Sequence, residues 1–356
     1  MKKKSKSARS RRTGPKPAAA VGADSRQQGL LRLVESFGRL TATVLADLVA
    51  DEFVFGEIAR VSREAPVLIL KHRESSVAPG GGANAICNLA DLGVNVLPVG
   101  VIGDDEAGNT LLHCFRRRHI PISGIVKLKG YTTVTKTRIL AGQAHTNRQQ
   151  VVRVDREPEF LPNGSALRRL VEEAREYARV SDALLISDYG YGSASPDVWN
   201  AVRANRRLNN VPVTLDSRYR ILEFEGITAA TPNEPEIEAA LGVRIGHDQE
   251  RLFEAGRKVL RRMNLESLVI TRGRDGMVAF TATAPPANIP IHGPDQVTDV
   301  TGAGDTVIAT YTAALAAGAD AARAALLATY AAGIVVMKRG TATVTQQELK
   351  DAIGRG

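Results

Sequence analysis

Two rhythms of apolar and polar positions alternate along the chain. Helical spacing runs from Leu30 to Phe37, from the glycines at 80–82 through Leu92, and over Glu106 to Arg118, Ser165 to Arg179, Pro196 to Arg207 and Asp248 to Met263. Between these lie compact apolar runs that read as buried strands: Thr41 to Val49, Val94 to Ile102, Ala183 to Ser187, Val211 to Leu215, Ile227 to Ala230, Ser267 to Thr271 and Met277 to Thr281. Strands separated by helices predict an α/β domain whose mostly parallel sheet is covered on both faces. Two patches depart from this rhythm. Phe53 to Val77 and Thr132 to Val154 read as short alternating β pieces, so the chain is expected to leave the main body twice and build a small β lid on it. The predicted organisation is a tail over 1–28, a core over 29–52, 78–130 and 156–356, and a lid over 53–77 and 131–155.

Charge changes this picture only at the N-terminus. Of the net charge of +9, eight units sit on Lys2, Lys3, Lys4, Lys6, Arg9, Arg11, Arg12 and Lys16, a stretch without an acid, and the rest of the chain is close to neutral. The basicity therefore predicts a disordered tail that can touch polyanions weakly, and argues against a nucleic-acid-binding surface on the folded body. The tail lacks the apolar segment of a secretory signal, and no apolar run is long enough to span a membrane. Cys87 and Cys114 lie in apolar, helix-like surroundings, as reduced thiols do in a cytoplasmic protein without structural zinc.

Candidate chemistry collects at glycines and strand ends. In Thr298-Asp299-Val300-Thr301-Gly302-Ala303-Gly304-Asp305-Thr306, two close glycines precede an apolar, alanine-rich run. The backbone amides can turn toward an anion at a helix N-terminus, with Asp305 in the first turn aimed at a hydroxyl; equally, the glycines are a tight helix entry that Asp305 caps. Pro79-Gly80-Gly81-Gly82-Ala83-Asn84 permits close approach of a ligand, and Asn84 offers a donor and an acceptor for hydroxyls. Gly80-x-Gly82-x-x-Ala85 imitates a dinucleotide fingerprint, but the strand before it is expected to end near Leu70, too far upstream for the required turn. Asp51 follows a strand and either meets a polar ligand or caps its own turn; Asp47 interrupts that strand. Asp188, Asp216, Asn233, Glu236 and Arg272 also follow strands, where the ligand crevice of an open α/β sheet lies. In the lid, Lys136, Arg138, Arg148 and Arg153 either face an anionic substrate or sit on a solvated face.

Taken in order, these motifs resemble the ribokinase-like, or PfkB, family of carbohydrate kinases from about Thr41 to Leu349. The glycines before Asn84 resemble the family's N-terminal sugar-binding signature, Asn233-x-x-Glu236 its magnesium motif, and Asp299-x-Thr301-Gly302-Ala303-Gly304-Asp305 its C-terminal signature. Arg60 to Val67, Thr133 to Arg138, Ser187-Asp188-Tyr189 and Asp299 to Ile308 are similar to the heptose 7-phosphate kinase domain of the bifunctional lipopolysaccharide-heptose enzymes.

The resemblance implies a ribokinase-like three-layer α/β sandwich with a β lid, using ATP and Mg2+, together with K+, to phosphorylate a sugar or sugar phosphate. It implies Asp305 as the base, with the amides of the Gly302-Ala303-Gly304 turn and Asp305 facing the transferred phosphoryl group. Asp51, Gly80, Gly81 and Asn84 would bind sugar hydroxyls, and Lys136, Arg138, Arg153 and Asp188 would complete the substrate side. Asn233, Thr271, Arg272 and Gly273 would face the nucleotide. Glu236 would hold Mg2+ through water, and Asp299 with Thr301, near Gly340, a monovalent cation. A homodimer through the lid is expected by the same analogy. Two departures bear on the acceptor: those heptose kinases carry a lysine where this chain has Tyr191, and Asp-Pro-Lys where it has Asp216-Ser217-Arg218. The acceptor is therefore left open between a heptose 7-phosphate and another sugar.

Overall fold

The computed structural model describes residues 18–142, 149–204, 211–293 and 298–355. Lys2 to Lys16 and Arg148 lie outside the described residues. Helix α1 (Ala18–Ser36) opens the described chain, beginning inside the stretch assigned from sequence to the tail; three consecutive alanines favour helix there. Farther along it, the Gln27 side-chain amide donates to the carbonyl of Ile353 at 2.5 Å, tying the helix to the C-terminal region.

The large sheet is built from β1 (Thr41–Ala46), β4 (Asn95–Gly103), β5 (Ile125–Leu128), β8 (Ala183–Asp188), β9 (Val213–Ser217), β10 (Ala229–Ala230), β11 (Ser267–Thr271), β12 (Met277–Thr281) and β13 (Ala287–Ile289). Their spatial order is β13-β12-β11-β10-β9-β8-β1-β4-β5, parallel except at β11-β12 and β12-β13. Successive strand residues feed opposite layers. Val44, Leu185 and Val269 join one buried cluster with α2 (Gly82–Asp91), α3 (Glu106–Arg117), α8 (Ala303–Ala316), α9 (Ala321–Val335) and α10 (Gln346–Arg355). Leu45, Leu184, Ile186, Leu268 and Ile270 join the other with α4 (Gly164–Ala178), α5 (Pro196–Arg203), α6 (Glu234–Leu241) and α7 (Gln249–Arg262). Both faces of each central strand are thus buried, which is why these strands read as continuous apolar runs.

The lid is a separate sheet of β2 (Leu48–Val61), β3 (Leu68–Gly81), β6 (Val134–Gly142) and β7 (Gln149–Arg156), in the order β3-β2-β6-β7. It departs from the sequence reading in three ways. The expected strand from Thr41 to Val49 is broken at Asp47, so β1 stays in the large sheet and β2 starts the lid. The expected boundaries at 52/53 and 77/78 fall inside continuous strands, because β2 pairs with β3 from Leu48 opposite Gly81 out to Val61 opposite Leu68. Finally, β3 runs to Gly81 and passes straight into α2, so the spacing argument against a dinucleotide turn does not hold. What separates this turn from that fingerprint is its strand, which lies antiparallel to β2 in the lid instead of parallel in the large sheet.

Candidate active site

Helix α8 begins in the turn that the glycines form. Gly302 is its N-cap at φ +79°, and a Cβ there would sit 2.5 Å from Asn84 Nδ2 and 3.0 Å from Thr341 Cγ2, so glycine is required twice over. The N–H of Ala303 donates to the carbonyl of Val300 at 3.2 Å. This corrects the expectation for Ala303: its amide is spent on the turn, and the N–H groups of Gly304 and Asp305 remain without an acceptor among the described residues. Gly304 is exposed, and a Cβ on it would meet nothing within 4 Å. With the helix dipole behind them, two such amides at a helix start have the makings of an anion cradle.

Asp305 lies beside the cradle and is 3% exposed. Its Oδ2 accepts from Asn84 Nδ2 at 3.0 Å and its Oδ1 from the Tyr189 hydroxyl at 2.7 Å. Burial pushes its carboxyl up to about 7, with the charge of Asp51 acting in the same direction, against those two hydrogen bonds and Lys136. Asn84 also reaches the carbonyl of Gly302 at 3.3 Å and accepts at its Oδ1 from Asn88 Nδ2 at 3.2 Å. Asn88 Oδ1 in turn accepts from Thr306 Oγ1 and from the N–H of Val344. The glycine turn and α2 are thereby locked together through side chains one helical turn apart.

The lid closes one side. In-register pairing puts Asp51 beside Lys136, and Phe53 beside Arg138 and Arg153, on one face of the sheet. Arg138 pairs with Asp51 Oδ1 and lies 5.6 Å from the Phe53 ring, while Thr341 Oγ1 donates to Asp51 Oδ2 at 2.6 Å. Gly80 packs so closely against this carboxylate that a side chain there would displace it, and a Cβ on Gly81 would press on the Tyr189 ring at 3.2 Å. Arg153 turns to Asp155, with Nε 2.8 Å from Oδ1, and is exposed. Lys136 Nζ stands 5.2 Å from the centre of the Tyr189 ring, with its proton affinity lowered by burial and then by Arg218.

Asp188, expected on the substrate side, is turned away. Its side chain is 0% exposed and holds Arg220, the Ser217 hydroxyl at 2.7 Å and the N–H of Gly190 at 3.1 Å. Burying this carboxylate requires such pairing, which consumes its acceptors. Tyr191 donates its hydroxyl to Glu157 Oε1 at 2.9 Å.

Across the sheet, Asn233 caps α6 and forms a reciprocal box with Glu236: Asn233 Oδ1 accepts from the Glu236 N–H at 2.8 Å, and Glu236 Oε2 from the Asn233 N–H at 2.9 Å. Both oxygens of Asp216 have no hydrogen-bond partner among the described residues, while the Glu236 carboxylate is engaged by Asn233. Burial raises both carboxyls, Asp216 well above its ordinary value, with the charges of Glu236, Asp305 and Asp188 adding to it. Thr271 pairs with Asn233 in an isolated bridge, Arg272 Nε donates to Glu234 Oε1 at 2.6 Å, and Gly273 takes φ +55°. Asp299 accepts from the N–H of Thr301 at 2.9 Å and of Gly340 at 3.0 Å, bringing together the segments expected around a monovalent cation.

The site thus joins Asp305, Asn84, Asp51, Gly80, Gly81, Lys136 and Arg138, with Glu236 and Asn233 on the far side and Arg153 at its rim. Tyr189, Asn88, Thr341 and Arg220 were not foreseen as its supports. Only Tyr189 carried a signal, being the residue next to a strand-end acid; the others work through partners remote in sequence.

The family model described as pfkB family carbohydrate kinase matches residues 49–348. Among curated proteins, the chain is similar to the bifunctional protein HldE of Geobacter sulfurreducens, 38% identical over 318 residues covering 89% of this chain and 64% of that protein. It is likewise 38% identical over 315 residues to the bifunctional protein HldE of Gluconobacter oxydans, covering 88% and 64%. The chain therefore spans just under two thirds of the length of these relatives. Among solved structures, Arabidopsis thaliana ribokinase complexed with ribose and ATP superposes with a TM-score of 0.70 at 19% identity, covering 88% of this chain and 98% of that one. Escherichia coli phosphofructokinase-2 in complex with potassium superposes with a TM-score of 0.71 at 15% identity, covering 89% and 98%. At these identities the structures speak for the fold alone.

Proposed function

The chain belongs to the pfkB family of carbohydrate kinases, and on that premise we propose that it transfers the γ-phosphoryl group of ATP to the anomeric hydroxyl of a heptose 7-phosphate. The observation that carries this reading is the juxtaposition, at the start of α8, of a buried carboxylate and two unspent amides: Asp305 beside the N–H groups of Gly304 and Asp305. A carboxyl pushed up to about 7 is suited to take a proton from a hydroxyl near neutral pH. As the acceptor oxygen bonds to the γ-phosphorus and the bond to the bridging oxygen of ADP breaks, the acceptor proton passes to Asp305. The two amides then meet the charge on the phosphoryl oxygens, where most of the catalysis of phosphoryl transfer lies.

On the acceptor side, Asp51, Gly80, Gly81 and Asn84 would meet sugar hydroxyls, with Lys136, Arg138 and Arg153 supplying positive charge. Asn233, Thr271, Arg272 and Gly273 would line the nucleotide side. Glu236 and Asp216 suit a magnesium ion in donor type, offering only oxygen, and the Asp216 oxygens have no partner among the described residues. Because Mg2+ keeps several of its waters, Glu236 would act on the ion through water. Bound there with the nucleotide phosphates, magnesium would neutralise their charge. Asp299 and Thr301 would line the potassium site. The exposed Val152 and Val154, both 47% exposed on the lid face away from Arg153, support pairing of two copies through their lids.

Tyr191, Ser217 and Arg218 favour a second reading, a pfkB kinase for another sugar such as a pentose, a ketohexose or a fructose phosphate. ADP release measured across a panel of these acceptors and heptose 7-phosphate decides between the two. Tight binding of one acceptor without turnover of any would replace both with a non-catalytic sugar-binding protein.

A further inference from the structure

Asp47 fills the one-residue break between β1 and β2 and is 1% exposed. Its Oδ2 accepts from the N–H groups of Tyr189 at 2.9 Å and Tyr191 at 2.8 Å, and its Oδ1 from those of Ser193 at 2.8 Å and Ala194 at 3.3 Å. Its backbone also donates to the carbonyl of Ser187 at 3.0 Å and accepts from the N–H of Gly82 at 3.2 Å. The loop after β8 is therefore wrapped around a single carboxylate, with Gly190 and Gly192 at φ +88° and +93° providing the reversals. No catalytic step described above uses Asp47.

The loop presents one side chain to the site. The Tyr189 ring is held between Gly81, on which a Cβ would come within 3.2 Å, and Lys136, whose Nζ is 5.2 Å from the ring centre. From there its hydroxyl reaches Asp305 Oδ1 at 2.7 Å, while Asn84 holds Oδ2. A donor on each oxygen sets the plane of the carboxylate and leaves one acceptor direction on each free. Burial and the charge of Asp305 raise the proton affinity of the phenol, so it stays a donor.

We propose that Tyr189 is a positioning residue that orients Asp305 and favours its ionised form, and that Asp47 acts through Tyr189 by folding the loop that carries it. This rests on the reading of Asp305 as the base. Tyr189 is not the only group acting on that carboxylate: Asp51 from β2, Lys136 from β6 and Asp216 from β9 also face it.

Tyr189→Phe keeps the ring and removes only the donor. A charge-assisted hydrogen bond of ordinary strength corresponds to a loss of about 10- to 100-fold in kcat. The expected result is that loss with an unchanged KM for ATP and an unchanged melting temperature, and with the acid limb of kcat/KM moved to higher pH because the carboxylate has lost a stabilising donor. Asp47→Asn weakens the nest of amides and should lower kcat in the same way. In the double variant the two losses should not multiply, since both act through one contact. A wild-type kcat and acid limb in Tyr189→Phe would overturn the proposal, as would fully multiplicative losses. If Asp47→Asn does not fold, Tyr189→Phe alone decides. Asp305→Asn is measured alongside: its inactivity with a normal Tyr189→Phe sinks the positioning role only, whereas its full activity sinks the base itself.

Discussion

Asn84 donates its side-chain amide to Asp305 across 3.0 Å, joining positions 221 residues apart and pinning the start of α8 to the start of α2. The first prediction follows from that bond. Asn84→Ala removes the donor to Oδ2, the link to the carbonyl of Gly302 and the acceptor for Asn88. Turnover should fall by about 100-fold, the size expected for losing a hydrogen bond to a charged group near the reacting atoms. Steady-state kinetics checks this, with the melting temperature as the control for folding.

The base should impose its own pH dependence. With Asp305 pushed up to about 7, the free enzyme holds it protonated below that value, so kcat/KM should climb as pH rises through about 7 and level off above it. Stability moves the other way. The folded value lies above the ordinary 3.8, so the contribution to stability is complete below about 3.8 and is lost as pH rises through about 7. Compared with Asp305→Asn, the wild type should lose up to about 4 kcal/mol over that interval, readable in denaturant titrations at several pH values.

Much of this was open to reading in the sequence, for a physical reason. Strands covered on both faces are short apolar runs ending in polar residues, as in Leu184-Leu185-Ile186 before Asp188, and the glycines at 302 and 304 mark the helix entry beside the carboxylate. The lid boundary was less legible. β2 is buried at its start and exposed toward its end, with register shifts against β3 near Gly56 and Ile58, so its apolar pattern fades while its hydrogen bonding continues. Side-chain duties were least legible. Asp188 looks like a ligand until Arg220, 32 positions on, is seen to occupy it, and Asp47 gains its meaning from amides more than 140 positions away. Such pairings arise in the packed fold and leave no local pattern.

The two glycines of the cradle should separate folding from chemistry. Gly302→Ala puts a Cβ at φ +79° against Asn84, and should cost about 1–3 kcal/mol of stability together with turnover. Gly304→Ala meets nothing within 4 Å and improves helix propensity, so the fold should hold or gain about 0.5–1 kcal/mol. On the proposed function its methyl would crowd the phosphoryl group brought to this exposed turn, and turnover should drop at least about 10-fold. Chemical denaturation and kinetics on the pair test the contrast.

Glu236→Gln keeps an acceptor for the Asn233 N–H, so α6 should remain capped. It removes a negative charge from the side proposed for the nucleotide, and the Mg2+ concentration for half-maximal velocity should rise by about 10- to 100-fold at saturating ATP. A magnesium titration of both proteins measures this directly.

The central claim is that Asp305 takes the proton when the sugar phosphate receives its second phosphate. It is tested most directly by following equimolar ADP and phosphorylated sugar from heptose 7-phosphate with wild type and Asp305→Asn side by side, alongside ATP binding to each. The account predicts acceptor-dependent turnover by the wild type and a loss of ~1,000-fold or more in the variant, with ATP affinity retained. Absence of acceptor-dependent turnover in the wild type, or equal turnover in the two proteins, would contradict it.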